Sequence, residues 1–225
     1  MANKPSKPSA SLNTLIQYGV ALSASRVAII YQAQELRDQA RERDFDPRYY
    51  RLLTEEILRL ERGRLSGSDL IDFASSFRDQ DVAKARNFRE CAEGYLKWRK
   101  AHQVSQVTAT SRCVWSTDQM NFFVNPEMIA LVDGERTIVN LHCLRPRSEF
   151  RVTKAELTPA LHLLDLATRD ARPRKARVAI IDVRRPAQFT TAGLSKHADI
   201  ALQKELRGFA SMWQSVESSR VGSRV

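Results

Sequence analysis

The chain lacks any apolar run of the roughly 18 residues that a membrane-spanning helix needs, although 43% of its 225 residues are hydrophobic. Its beginning does not have the pattern of a signal peptide either. Lys4 and Lys7 supply positive charge, but Gln17, Tyr18 and Gly19 interrupt the apolar segment that should follow. We therefore expect a cytoplasmic protein with no membrane partner.

Cysteine and glycine are scarce, which excludes several kinds of active site. The three cysteines, Cys91, Cys113 and Cys143, form no CxxC pair, so neither a zinc ribbon nor a thioredoxin-type site is expected. The eight glycines form no GxxxxGK[ST] phosphate loop and no GxGxxG motif, and GxSxG and HExxH are also absent. The sequence predicts buried free thiols, no metal site and no cofactor.

Positive charge, in contrast, is abundant. The chain has 36 basic and 26 acidic residues, which gives a net charge of +10. A basic surface attracts polyanions, of which nucleic acid is the commonest. A high arginine content can also follow from genome composition, so charge alone leaves both explanations open.

The spacing of apolar residues changes from a helical to a strand period near His102. Before it, apolar residues recur every three or four positions and predict four helices. The first covers 12–43 and the fourth 81–101. The second is capped by Asp46, starts at Pro47 and ends at Gly63, and the third is a short helix capped by Ser68. After it, alternation predicts extended segments at 107–115, 119–132 and 136–144, then a helix over 153–170, an apolar strand over 178–183 and a helix over 194–213.

This order predicts an α+β or α/β fold. We expect a helical N-terminal half, then an α-βββ-α-β core with helices packed on a mixed four-stranded sheet, and a C-terminal helix. The predicted regions are a flexible tail at 1–11, a helical region at 12–79, the α/β core at 80–217 and a flexible tail at 218–225.

The dipeptide Asp133-Gly134 is the strongest hairpin signal in the chain. A two-residue turn there pairs Val132 with Glu135, and counting outward brings Glu127 opposite Asn140. His142 lies two residues further along and faces the same side of the sheet as Asn140. The sequence therefore predicts a polar group of Glu127, Asn140 and His142 on an apolar hairpin; ordinary polar residues at a sheet end are the alternative.

With this element order, residues 80–185 resemble the core of the PD-(D/E)XK nuclease superfamily. That family has Pro-Asp on its second strand and Asp/Glu-x-Lys on its third. Here Pro126-Glu127 matches the first motif, and Asn140-Leu141-His142 follows thirteen positions after Glu127. The resemblance implies a remnant of a nuclease site at Glu127, Asn140 and His142, with Lys154 as a candidate for a migrated lysine.

The departures from the family pattern affect its chemistry directly. Magnesium prefers charged oxygen ligands, whereas Asn140 offers a neutral carbonyl and His142 a nitrogen. The sequence thus predicts a non-catalytic nucleic-acid-associated or assembly domain with no cofactor. The alternatives are an active nuclease with a rearranged site, which would need Mg²⁺ or Mn²⁺, and a scaffold subunit that binds a protein partner through its helical half.

The densest basic segments lie before and after the last predicted strand. Phosphate contacts there would add affinity that salt removes, although a solvated loop is the alternative. The candidates for DNA or RNA binding are Arg172, Arg174, Lys175, Arg177, Arg184 and Arg185.

Overall fold

The computed structural model describes residues 7–43, 49–143 and 152–222 and confirms the α+β class. The predicted Asp46 cap, Pro47 and the outermost tail residues lie outside the described residues. The helices within these ranges are α1 (Leu12–Val20), α2 (Ser23–Arg43), α3 (Arg51–Glu61), α4 (Gly67–Ser75), α5 (Val82–Ala101), α6 (Lys154–Thr168) and α7 (Ala198–Gly222). The strands are β1 (Ser9–Ser11), β2 (Val104–Ala109), β3 (Cys113–Ser116), β4 (Asn121–Val124), β5 (Met128–Val132), β6 (Glu135–His142), β7 (Arg177–Asp182) and β8 (Ala187–Thr190).

The larger sheet has the order β2-β5-β6-β7-β8. Strands β6 and β7 are parallel, and the other neighbouring pairs are antiparallel. Asp133 and Gly134 join β5 to β6 with φ angles of 52° and 81°, as a tight hairpin turn with two positive φ angles requires. The predicted register is confirmed, because Val132 pairs with Glu135 and each pair outward to Met128 and Val139 follows in step.

The prediction of a single four-stranded sheet misses two features of the structure. Strand β8 adds a fifth, antiparallel edge strand, and a second sheet has the order β1-β4-β3. The single extended run predicted over 119–132 is therefore wrong, because β4 and β5 belong to different sheets. The extended segment is interrupted at 125–127, because Pro126 has no N–H to donate to a neighbouring strand.

The N-terminal residues that we expected to be a flexible tail contain a paired strand. Ser9–Ser11 form β1, which runs parallel to β4, and Lys7 donates to the carbonyl of Thr117. The hydroxyl of Ser11 then accepts the N–H of Thr14 and begins α1. The tail prediction failed because this pairing joins segments about a hundred residues apart, which no local pattern records.

Several helix boundaries also differ from the predictions. The helix predicted over 12–43 is divided at Ala21, whose backbone is extended, into α1 and α2. α5 begins at about Asp81 as predicted, and the side chain of Asp81 caps it. α4 is capped by Ser66 with a capping box to Asp69, and not by Ser68. Residues 218–222 continue α7 and are not part of a flexible tail.

Helix α6 begins where the predicted helix over 153–170 begins. Thr153 caps the helix through a capping box with Glu156, so Pro159 lies inside it. The hydroxyl of Thr158 donates to the carbonyl of Lys154 at 2.9 Å, within the same first turns.

The larger sheet is covered by helices on both faces. On one, which we call the α6 face, α1, α2, α6 and α7 bury apolar side chains with Ile138 and Ile180. On the other, the α5 face, α3, α4 and α5 pack with Leu141 and Ile181. None of the described helices combines the length and apolar character needed to cross a membrane.

Candidate functional site

The sheet end where β5 begins and β6 finishes holds the three residues predicted from the hairpin. Glu127 lies one position before the pair Met128–Val139, and its N–H donates to the carbonyl of Val139 at 2.9 Å. The predicted position of Glu127 opposite Asn140 therefore agrees with the ladder. Asn140 and His142, two residues apart on β6, are both buried.

Glu127 and Asn140 each form a hydrogen bond with a group outside this trio. The carboxylate of Glu127 accepts the backbone N–H of Leu141 at 2.6 Å. The amide of Asn140 donates to the side chain of Asn13 in α1 at 3.2 Å. The Nε2 atom of His142 has no hydrogen-bond partner among the described residues.

The electrostatic state of Glu127 differs from that of a metal-binding carboxylate. Although part of the residue is exposed, burial raises the pKa of its carboxyl group to about 8, and the N–H of Leu141 only partly opposes that shift. Desolvation penalises the charged form of an acid. At neutral pH the carboxyl group is therefore largely protonated.

His142 is also held neutral. Burial, together with the positive charge of Arg184, lowers the pKa of its imidazole to about 3. The residue that pairs with it on β7 is Asp182, whose carboxylate accepts the backbone N–H groups of Arg184 and Arg185 at 3.1 and 3.3 Å. The imidazole of His142 is thus uncharged at neutral pH.

Lys154 has a different environment from the trio. It lies at the start of α6, is exposed, and donates to the backbone carbonyl of Ala192. Within the described part of the chain, no hydrogen bond or ion pair links it to Glu127, Asn140 or His142.

The donors at this sheet end do not fit Mg²⁺ or Mn²⁺. A protonated carboxyl group, an amide and a neutral buried imidazole provide no pair of charged oxygen ligands. Among residues 7–43, 49–143 and 152–222, no three or more His, Cys, Asp or Glu side chains are grouped so as to hold a metal ion.

The predicted nucleic-acid-binding residues divide between the two ends of β7. Arg177 begins the strand and Arg184 follows its end, which at about 3.3 Å per residue separates them by about 23 Å. Arg184 is only 7% exposed; it pairs with Glu90 and donates to Tyr50 Oη at 3.2 Å and Asn87 Oδ1 at 3.1 Å. It therefore binds α5 to the sheet and does not face solvent.

At the other end of β7, two of the four predicted cations are also paired. Arg172 forms an ion pair with Asp165, and Arg177 one with Glu135. Arg185, at the far end, is half-buried beside Asp182. These contacts leave Arg174 and Lys175 as the cations of the predicted set that are both exposed and, among the described residues, without an ion-pair partner.

The pairing of β6 with β7 adds a cation that sequence reasoning missed. Thr137 pairs with Arg177, which brings Arg136 to the entrance of β7. Arg136, Arg174 and Lys175, which we call the basic edge, are all exposed. None of their side chains has an ion-pair or hydrogen-bond partner among the residues described. Only the alternation of β6 could have indicated that Arg136 is exposed, and its proximity to β7 is not local information.

A polar cavity of about 440 Å³ lies at the same end of the sheet, where β6 and β7 begin. It contains a pair that the sequence analysis did not identify, in which His102 Nδ1 lies 2.6 Å from Asp133 Oδ2. The hydrogen bond with His102 and the N–H of Gln103 hold the pKa of Asp133 below its usual value. Glu135, Arg177, Gln188 and two threonines complete the polar lining of the cavity.

The amino-acid sequence itself gives no direct relative for this arrangement. No protein-family model matches the chain, and a search of curated proteins finds no match.

Proposed function

We propose that this protein is a non-catalytic nucleic-acid-binding domain built on a nuclease-like core. The observation that carries the proposal is the basic edge of Arg136, Arg174 and Lys175, exposed and unpaired among the described residues while other arginines of the same region are neutralised by acids. Unpaired cations are free to replace the counterions of a phosphate backbone.

The arrangement of the larger sheet supports the nuclease-like core. Helix α5, the antiparallel strands β2, β5 and β6, helix α6 and the parallel strand β7 follow one another in the α-βββ-α-β order. The β3-β4 pair is inserted between the first and second of these strands and joins a separate sheet. Pro126-Glu127 immediately precedes the second strand of that core, and Asn140-Leu141-His142 lies on the third.

The chemistry of the remnant site supports the absence of catalysis. Hydrolysis in this superfamily needs charged oxygen ligands for a metal and a cation near the attacked phosphate. Here burial keeps Glu127 protonated at neutral pH and His142 uncharged. The basic edge also lies at the opposite end of the sheet from the remnant site, so a strand bound there is remote from Glu127.

Charge reversal at the basic edge tests the binding. We expect Arg174→Glu with Lys175→Glu to weaken binding of a labelled oligonucleotide at least about tenfold near 100 mM salt, because two phosphate contacts are lost. The slope of log K against log salt should fall by about 2. Fluorescence anisotropy with single-stranded DNA, duplex DNA and RNA of one sequence measures both quantities.

The matched control is Arg62→Glu with Arg64→Glu, which changes the same charge at two exposed positions between α3 and α4. We expect it to keep the wild-type affinity within about twofold. No binding by the wild-type chain even at low salt, or equal losses in both variants, would contradict the proposed interface. A plasmid-nicking assay with Mg²⁺ and Mn²⁺ tests the absence of catalysis, and metal-dependent cutting that Glu127→Ala abolishes would reject it.

A further inference from the structure

Helices α2 and α7 lie side by side and run in the same direction. Arg26 is 4.0 Å from Glu205, Gln34 donates to the carbonyl of Trp213 at 2.8 Å, and Arg37 pairs with Glu217 at 3.1 Å. Each contact joins residues 179 or 180 positions apart. A residue of α2 therefore lies at the same height along the helix pair, its level, as the α7 residue 179 or 180 positions later.

An open groove of about 860 Å³ follows the outer side of this helix pair. Val27 and Tyr31 form its ridge on α2, and they are 50% and 45% exposed. The guanidinium of Arg220 lies 5.1 Å from the centre of the Tyr31 ring and holds that ring beside the groove. Two apolar side chains one helical turn apart are thus exposed together, and their contact with water is unfavourable.

The α7 side of the groove is lined largely by small residues. Gly208, Ser211 and Ser215 recur there every three or four positions, and a helix wall of this kind allows another helix to approach closely. One side of the groove is thus an apolar ridge on α2, and the other is a wall of small residues on α7. Both repeat every three or four residues.

We propose that a second copy of this chain occupies this groove, with the two copies related by a two-fold axis that passes between α2 and α7 at the level of Ile29 and Ile30. In such an isologous contact, α2 of one copy lies antiparallel to α7 of the other. The offset of 179 to 180 positions then sets Tyr31 over Gly208 of the second copy. It also sets Val27 over Ser211 of the second copy.

Charge complementarity supports a second copy as the occupant. The same axis sets Glu35, an exposed acid that lines the groove, at the level of Lys204 of the second copy. Within one copy these two side chains are about ten residues apart in level, or roughly 16 Å along the helix pair. They can therefore form an ion pair between copies and not within one.

Sedimentation velocity of the full chain over a range of concentrations tests the proposal. We expect the wild-type protein to dimerise and Val27→Glu to weaken the dimer at least about a hundredfold, because it buries a charge in the contact. The matched control is Val82→Glu, which puts the same charge on another exposed helical valine, 70% exposed, away from the groove. Equal thermal unfolding of the two variants checks that both are folded.

A charge exchange tests the register of the contact. Glu35→Lys and Lys204→Glu should each weaken the dimer, and the double variant should restore it, since the pair is re-formed with reversed sign. A wild-type monomer at about 100 µM, a dimer that Val27→Glu leaves intact, or no rescue in the double variant would overturn the proposal. A monomeric chain would leave the groove to a helix of a different protein.

Discussion

Two side chains at the end of the β5-β6 hairpin, Glu127 and His142, have few hydrogen-bond partners for their polarity. Glu127 accepts the N–H of Leu141, and Nε2 of His142 has no partner among the described residues. Ionising either group there would leave a charge poorly solvated, so both are neutral near pH 7. Their neutral state is a consequence of position, because exposed residues of the same types would titrate normally.

The raised pKa of Glu127 makes stability depend on pH. The folded chain keeps a proton on this carboxyl group up to about pH 8, whereas the unfolded chain releases it near its ordinary pKa. The folded state thus binds more protons across this window, and its stability falls as the pH rises. Glu127→Gln stays neutral and can still accept from Leu141, so we expect it to unfold several degrees above the wild type at pH 9.

At pH 4 the same two proteins should unfold within about 2 °C of each other, because Glu127 is then protonated in both folded and unfolded chains. The control is Glu55→Gln, which removes an exposed i,i+4 ion pair with Arg51 and should change stability by less than about 0.5 kcal/mol. Calorimetry across pH 4–9 measures the difference. A constant gap between Glu127→Gln and the wild type would contradict a buried acid.

Among the secondary-structure elements, those governed by local rules could be predicted from the sequence. Asp133-Gly134 determined both the turn and the register of β5 with β6, and Asp81 determined where α5 begins. The apolar strand β7 could also be identified, because its neighbours bury both of its faces. These features depend on a few consecutive residues.

Elements that depend on pairing with another strand could not be predicted. β1 is a strand because it lies beside β4, and Ala187–Thr190 is a strand because it lies beside β7. The same limit applies to the candidate site, where Glu127, Asn140 and the loop cations were identified but Arg136 and the His102–Asp133 pair were not. Both omissions depend on which strands and helix ends are neighbours.

The packing of α5 on the end of β7 depends on one glycine. A Cβ atom at Gly94 would lie 1.7 Å from the backbone carbonyl oxygen of Val183, so the helix and the strand would have to separate. We expect Gly94→Ala to destabilise the fold by about 3 kcal/mol or more, beyond the usual range for overpacking by a single methyl group. Urea unfolding followed by tryptophan fluorescence measures the loss.

Gly67→Ala is the matched control in this experiment. Its Cβ would meet a methyl group of the Leu96 side chain at 3.3 Å, and a side chain can move where a backbone carbonyl cannot. We expect a change of about 1 kcal/mol at most. Equal effects of the two substitutions would mean that α5 does not lie as close to β7 as the structure places it.

For the whole molecule, the main feature is the way in which the N-terminal helices are divided between the two faces of the sheet. Leu15, Ile16 and Ile30 belong to the core of the α6 face, whereas Leu53 and Ile57 belong to the core of the α5 face. Residues 12–79 therefore contribute to both cores of the chain. A shared core couples the unfolding of all its elements.

The fragment 80–217 tests this coupling. It keeps the larger sheet with α5 and α6, but it loses α1–α4 and so exposes apolar side chains on both faces. We expect the isolated fragment to bind a hydrophobic dye and to unfold without a cooperative transition, whereas the full chain should unfold in one. Supplying 1–79 as a separate chain should restore cooperative unfolding, because the missing helices then cover both faces again. A cooperative transition of the fragment alone would show that the α/β core is an independent domain and that the N-terminal helices are an addition to it.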